Sequence, residues 1–268
     1  MNWLLKRLHV YPTSYYSYRK ARKAAAVKKK AAVLALIQKL YHESGGRPGY
    51  RMMRAMLANK GISLSPLTVH KYMNKELGLC SVTRKRKYRY HKGVQAHRVF
   101  ENLLKQDFHA EGRNRKWCVD FTYLFLASGA KHYNCTIIDL YDRRVVASVC
   151  GKKIDTALAK EAVEKALNTS KVSRVILHSD QGSQFTSKEF VEYCENKGIV
   201  QSMSRAGCPY DNAPMERYFN TLKAEEINLH SYHTADELYS AVSNYALGWY
   251  NNLRPHSYNH NLPPSKVS

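Results

Sequence analysis

The chain has 268 residues, with 43 Lys and Arg against 21 Asp and Glu, for a formal net charge of +22. The surplus is concentrated at one end. Residues 1–98 carry 23 Lys/Arg and two acids, Glu43 and Glu76, whereas residues 99–268 carry 20 Lys/Arg and 19 acids. A basic front end on a nearly neutral body points to a polyanionic partner, nucleic acid first. No stretch reaches transmembrane length without charges, and the opening MNWLLKRLHVY lacks the apolar run of a signal peptide. The six cysteines, Cys80, Cys118, Cys135, Cys150, Cys194 and Cys208, form no CxxC pair. These features argue against a membrane protein and a disulfide-built secreted one, and predict a cytoplasmic, nucleoid-associated chain with reduced core cysteines. A zinc site on His91, His97 and a nearby Cys lacks ligand pairs at finger spacing.

In chain order, residues 1–27 hold a Tyr-rich patch, Tyr11 to Tyr18, followed by basic residues. Val33, Leu34, Ile37, Leu40 and Tyr41 recur at helical spacing and predict a helix over 28–42, broken by Gly45-Gly46-Arg47-Pro48-Gly49. A second helix is expected over 50–60, with Gly61 as its stop. A third begins at Ser65-Pro66, a good N-cap and first-turn pair, and ends at Gly78. Two short helices with a tight Gly-containing link have the outline of a helix-turn-helix, and their charge favours DNA binding. The run Thr83 to Tyr90 interleaves Arg84, Lys85, Arg86, Lys87 and Arg89 with Tyr88 and Tyr90. It reads as a linker that tracks a phosphate backbone. A short helix is expected over 99–106.

The body reads as strands over 116–126, 131–139 and 144–150, a helix capped by Asp155 and running to about 168, and a strand over 172–178. A helix over 187–197 ended by Gly198, a strand over 199–203 and a helix over 213–226 follow. Thr234-Ala235-Asp236-Glu237 forms a capping box that opens a long helix to about 251, and a Pro- and Asn-rich tail closes the chain. The order β-β-β-α-β-α-β-α predicts an α/β fold, a mixed five-stranded sheet with helices on its faces. The domains are expected at 1–98 (basic helical region and linker), 99–230 (catalytic core) and 231–268 (C-terminal helix and tail packing on the core).

Three acids stand out. Asp120 lies inside Cys118-Val119-Asp120-Phe121-Thr122, Asp180 follows Val175-Ile176-Leu177, and Glu216 lies one turn into a helical segment with 35 residues between it and Asp180. An acid in an apolar strand is costly unless compensated, and together these three suggest divalent metal. Phosphodiester cleavage needs a nucleophile and charge relief at phosphorus, which two Mg²⁺ ions about 3.5–4 Å apart supply through oxygen ligands. Asp120 is assigned the bridging position, with Asp180 and Glu216 each completing one ion. Lys223, seven residues after Glu216, shares its helix face and suits a phosphate. Asn212 is expected to cap that helix or hold DNA. His178 is expected to orient a carboxylate or close its strand. Asp139 and Asp142 read as turn acids, and Trp249 and Tyr250 as core aromatics.

The words WCVDFTY (117–123), HSDQGSQFTS (178–187), SMSRAGCPYDNAPMERYFNTLKAE (202–225) and WYNNLRPHS (249–257), with GYRMMRAML (49–57) upstream, carry a resemblance over nearly the full length. The body resembles DDE transposases and retroviral integrases. The whole chain resembles the second-frame (OrfB) product of the bacterial insertion sequence three family of transposases. That resemblance implies an RNase H-like fold and a metal-dependent polynucleotidyl transferase that cuts transposon ends and joins their 3′-hydroxyls to target DNA. Its catalytic and metal-binding residues are Asp120, Asp180 and Glu216, and its ions two Mg²⁺, with Mn²⁺ able to substitute. It implies DNA contacts at Lys223, Arg217 and Asn212, and the basic residues Arg51, Arg54, Lys71, Arg84, Lys85, Arg86 and Lys87 are expected to add to them. The partners implied are DNA, a first-frame (OrfA) product or a fusion with it, and further copies of the chain on DNA, with no membrane. Two other classes stay open: an RNase H-like nuclease without joining, and a catalytically silent DNA-binding regulator.

Overall fold

The structure, a computed structural model, describes residues 1–82, 98–170, 172 and 174–267, with Arg22 described by its backbone only. The chain forms two compact units, Met1–Val82 and Thr83–Ser268. The front unit contains α1 (Asn2–Arg7), α2 (Pro12–Glu43), α3 (Tyr50–Ala58) and α4 (Pro66–His70), the last prolonged by a wider, π-type turn over Lys71–Glu76. Its core joins Val33, Ile37 and Leu40 of α2 to Met53 and Leu57 of α3 and to Val69 and Met73. Ser65 caps α4 by accepting from the Thr68 N–H at 3.1 Å, and Pro66 follows it as expected. The helix expected over 28–42 instead begins at Pro12. The Lys-, Arg- and Ala-rich stretch before residue 28 offers no apolar periodicity, but its residues favour helix intrinsically. The linker residues Arg84, Lys85, Arg86 and Lys87, and His91 and His97, lie outside the described residues.

The second unit is built on five strands: β1 (Lys116–Phe125), β2 (Lys131–Asp139), β3 (Val145–Gly151), β4 (Val175–Ser179) and β5 (Ile199–Met203). Their order across the sheet is β3-β2-β1-β4-β5. β1, β2 and β3 form an antiparallel meander, while β4 and β5 add to the far side of β1 in parallel. The helix α5 (Thr156–Ser170) makes the crossover, its first turn held by Asp155, whose carboxylate accepts from the Leu158 N–H at 2.9 Å. It buries Leu158, Ala159, Ala162, Val163 and Ala166 in a core shared with Trp117, Val119, Ile137, Val175 and Leu177. After β4 come α6 (Ser183–Thr186) and α7 (Lys188–Asn196), and Gly198 at φ +70° turns the chain into β5. The helix α8 (Ala213–Leu222) continues as a π-type turn over Lys223–Ile227. The capping box at Thr234 and Glu237 opens α9 (Ala235–Ser243), continued over Asn244–Tyr250.

Some expectations need correction. Residues 99–106 are not a helix: Lys105 and Gln106 have φ of 48° and 66°, and the segment is committed to neighbours. The Leu103 N–H donates to Ser202 Oγ, and the Asn102 and Gln106 amides donate to Asp211. Of the cysteines, Cys118, Cys135 and Cys194 are buried in the core, whereas Cys80 is exposed and Cys150 and Cys208 are half-buried. Asp139 and Asp142 are more than turn acids. Both are fully buried; Asp139 accepts from the Asn114 and Tyr141 N–H groups, and Asp142 pairs with Arg113 at 2.9 Å and takes the Arg144 N–H. Trp249 and Tyr250 are buried core aromatics.

The C-terminal tail carries a pH-sensitive group. His256 Nδ1 accepts from the Tyr258 N–H at 3.3 Å, and burial, with Arg254 and Arg143 nearby, lowers its pKa to about 4. Because the folded pKa lies below the unfolded value of about 6.5, the unfolded chain takes up the proton first. Stability is therefore expected to fall as pH drops from about 6.5 toward 4, and not to change on this account above 6.5. Denaturant midpoints at pH 7 and pH 5 should differ less for His256→Asn, which keeps a capping acceptor without titrating. Equal differences in the two proteins would remove His256 from the account.

Candidate active site

The sheet register brings the first two acids level. β1 and β4 pair in parallel as Lys116↔Ile176, Trp117↔Leu177 and Cys118↔His178, so each residue meets the one sixty positions on. Asp120 lies two residues beyond Cys118, and Asp180 two beyond His178 and just past the end of β4. The two acids thus stand the same number of residues beyond the last registered pair, and the Asp180 carboxylate acts on that of Asp120. The third acid comes from α8, which packs against β1 and bears Glu216 in its first turn. Met215, Tyr218, Phe219 and Leu222 bury the inner face of α8, leaving Glu216 half-buried at its border.

Asp120 records the convergence. Its pKa is raised well above the ordinary carboxylate value, first by burial and then by the Asp180 and Glu216 carboxylates, while Lys223 pulls it down. Asp180 and Glu216 are raised too, each by burial. The backbone holds two of the three in place: the Phe121 N–H donates to Asp120 at 2.7 Å, and the Gly182 N–H to Asp180 at 3.0 Å. Among the described residues, no three His, Cys, Asp or Glu side chains are tight enough to close a metal site by themselves. By donor type the acids do suit a hard cation: all the ligands are oxygen, and their repulsion needs a positive charge.

The other expected residues divide. Lys223 belongs to the group around Asp120. Arg217 is exposed on α8. Asn212 precedes α8 without capping it: its side chain makes no cap bond, is 5% exposed, and both its polar atoms lack protein partners. In the front unit Arg51 is exposed with its guanidinium over the Tyr50 ring, Arg54 is exposed and donates to the Leu64 carbonyl, and Lys71 is exposed. His178 does not touch a carboxylate. It is fully buried, and its ring bonds Ser202, Ser204 and the Asp211 carbonyl, which burial favours in the neutral form.

Asp211 was not singled out in the sequence. Its buried carboxylate takes the Arg205 guanidinium and N–H and the amides of Asn102 and Gln106. Arg205 and the other donors hold its pKa far below the usual range. Through this residue the loop that launches α8 is tied to the end of β4 that launches Asp180. The sequence signal was its place inside GCPYDNAP, a loop with no apolar periodicity to explain an acid.

The integrase core domain family matches residues 110–209, a second integrase core domain family residues 197–264, and the HTH-like domain family residues 28–87. The chain is 31% identical over 252 residues to the putative transposase InsK of insertion sequence element IS150 from Escherichia coli K12. That alignment covers 94% of this chain and 87% of the relative. The chain belongs to the insertion sequence three family of DDE transposases. The transposase of insertion sequence element IS904 from Lactococcus lactis is 32% identical over 222 residues, covering 82% of this transposase and 87% of that protein. Among solved structures, the simian T-cell lymphotropic virus intasome, determined in complex with PP2A regulatory subunit B56 gamma, superposes with a TM-score of 0.50 at 17% identity. The match covers 86% of this transposase and 73% of that chain. The fold is therefore the RNase H-like integrase core preceded by an HTH-like domain. Among the described residues no helix is long and apolar enough to cross a membrane.

Proposed function

We propose that this transposase cuts the ends of its element by hydrolysis and joins the freed 3′-hydroxyl to target DNA in a single active site made of Asp120, Asp180 and Glu216. The observation that supports it most is the electrostatic grouping of these three acids with Lys223, drawn from two parallel strands and one helix. Asp120, Asp180 and Glu216 would together hold two Mg²⁺ ions through their carboxylate oxygens. When bound, the ions neutralise charge at the reacting phosphate. Asp120 and Asp180 are held by backbone N–H groups, so their carboxylates are oriented before any ligand arrives. Lys223 holds a phosphate beside the scissile bond and the exposed Arg217 flanks it, whereas Asn212, buried with both polar atoms enclosed, is not available to DNA. Arg51, Arg54 and Lys71 grip duplex from the HTH-like module, and Arg84, Lys85, Arg86 and Lys87, in the linker part of a domain over 1–98, neutralise phosphates; the catalytic core takes 99–230 and the C-terminal helix and tail 231–268.

The partners in this reading are transposon ends, target DNA, the first-frame product and further copies of the chain, in the cytoplasm. In this reading no nucleophilic side chain takes part. Water attacks first and the 3′-hydroxyl second, without a covalent protein–DNA link. Labelled element ends incubated with Mg²⁺ and target, with and without the first-frame product, should yield free nicked DNA and branched joint products on denaturing gels. Label comigrating with the protein would overturn this mechanism, and nicked DNA without joint products would reduce it to hydrolysis.

A further inference from the structure

The HTH-like match begins at residue 28, so α1 and the first half of α2 lie ahead of it. α2 is a single helix of 32 residues, and among its described residues the buried side chains all lie in its second part. Val33, Ile37 and Leu40 enter the front unit's core, and Lys30 is anchored to Glu76 at 2.6 Å. From Pro12 to Lys29 no side chain described is buried. At 1.5 Å per residue this is a stretch about 27 Å long, and none of its described side chains enters the front unit's core. Most helical stability in proteins comes from packing an amphipathic face rather than from propensity, and this stretch buries no described side chain.

The charges make it more so. Lys6, Arg7, Arg19, Lys20, Arg22, Lys23, Lys28 and Lys29 come before the first acid of the chain, Glu43. Arg19 and Lys23, at i and i+4, repel one another. The aromatic residues are presented rather than stored: Trp3 is 67% exposed and Tyr11 79%, and Tyr16 is exposed. Arg7 lies over the Trp3 ring and Arg19 over that of Tyr15. Tyr11, Tyr15 and Tyr18 recur at helical spacing, but no large apolar side chain follows until Val27, so any stripe for a partner helix ends after two turns. Cations without acids, on a helix that its own charge weakens, match a polyanion rather than an apolar protein groove.

We propose that residues 1–29 are a second DNA-contacting arm, additional to the HTH-like module, whose helix is stabilised by docking along a duplex phosphate backbone. This rests on the reading of the chain as a DNA-acting transposase. The contact is sequence-independent: Lys and Arg neutralise phosphates, and the tyrosine hydroxyls donate to them. The phosphates remove the repulsion that opposes the helix.

The test uses the full chain and a fluorescent 30-bp duplex, comparing wild type with K6A/R7A/R19A/K20A/K23A by anisotropy across a salt series. The slope of log K against log salt should become shallower by about 0.9 for each phosphate that is no longer neutralised, up to about 4.5 for all five. Duplex should also raise the far-UV helical signal of the wild type more than that of the variant. The variant replaces exposed cations by the best helix former, so it keeps its fold. An unchanged slope, or no gain in helical signal on the wild type, overturns the arm. An unchanged slope together with weaker self-association in sedimentation assigns the segment to a second copy and also overturns it. A control with Arg84, Lys85, Arg86 and Lys87 changed to Ala separates the two ideas. If its slope falls and the arm variant's does not, the transposase reading survives and the arm does not. If the wild type binds no duplex at all, both fall.

Discussion

Asp120→Asn, Asp180→Asn and Glu216→Gln are each expected to abolish end cleavage and strand joining, by roughly a thousandfold or more, while the chain keeps its hold on DNA. Each substitution preserves shape and removes one negative charge. Asp120 is the most sensitive, because both other acids act on it and burial alone already disfavours its charged form. Without a counter-charge such a carboxylate drifts toward the neutral acid. Binding should be unchanged or slightly tighter in all three variants, since losing a carboxylate beside a phosphate removes repulsion and the affinity comes from the Lys- and Arg-rich front end. Cleavage and joining are measured on labelled ends, and affinity by anisotropy on the same duplex. A variant that retains more than a few per cent of cleavage takes its residue out of the reacting centre. A variant that loses affinity in step with cleavage shows a fold defect instead.

The three acids were legible because each interrupts an apolar pattern that had to be a strand or a packed helix. Val119 and Phe121 around Asp120, and Val175 and Leu177 before Asp180, define strands whatever the site does. The register could not be read: only the pairing of Cys118 with His178 puts the two acids at one level. The ties that fix the loop before α8 were hidden for a different reason. Asp211, Asn102 and Gln106 are polar residues in aperiodic stretches, and their roles depend on partners about a hundred residues away. The same ties explain why residues 99–106 look helical in composition but fold irregularly. α2 failed the opposite way: its front half buries no described side chain, so beyond Tyr18 no apolar periodicity marks it and only intrinsic propensity does. Asn212 had the right type for a cap and the wrong surroundings, since it is buried with both polar atoms unpaired.

Arg254 lies in the word WYNNLRPHS, far from the acids in sequence, and its replacement is expected to cost more stability than any surface change in the chain. Its guanidinium meets the buried Glu225 carboxylate at 2.9–3.1 Å through Nε and Nη2, and the Tyr245 hydroxyl donates to the same carboxylate at 2.9 Å. The pair is well enclosed, with 17% and 6% of the side chains exposed. Glu225 sits in the turn over Lys223–Ile227 that prolongs α8, two residues after Lys223. The bridge therefore fixes the C-terminal segment against the element that bears Glu216 and Lys223. Arg254→Met leaves a buried carboxylate without its cation, which typically costs about 3–5 kcal/mol. For a unit of this size that corresponds to a fall in Tm of about 10 °C. Arg254→Lys should lie between, because an ammonium keeps the charge but not the two-pronged geometry. The double variant Glu225→Met with Arg254→Met should recover much of the loss, since no charge is then stranded. Urea unfolding of the four proteins decides the matter: a single variant costing less than about 1 kcal/mol would place the pair among screened surface bridges. Joining activity below the unfolding transition should still fall in Arg254→Met and return in part in Arg254→Lys, because Lys223 loses the turn that aims it at the acids.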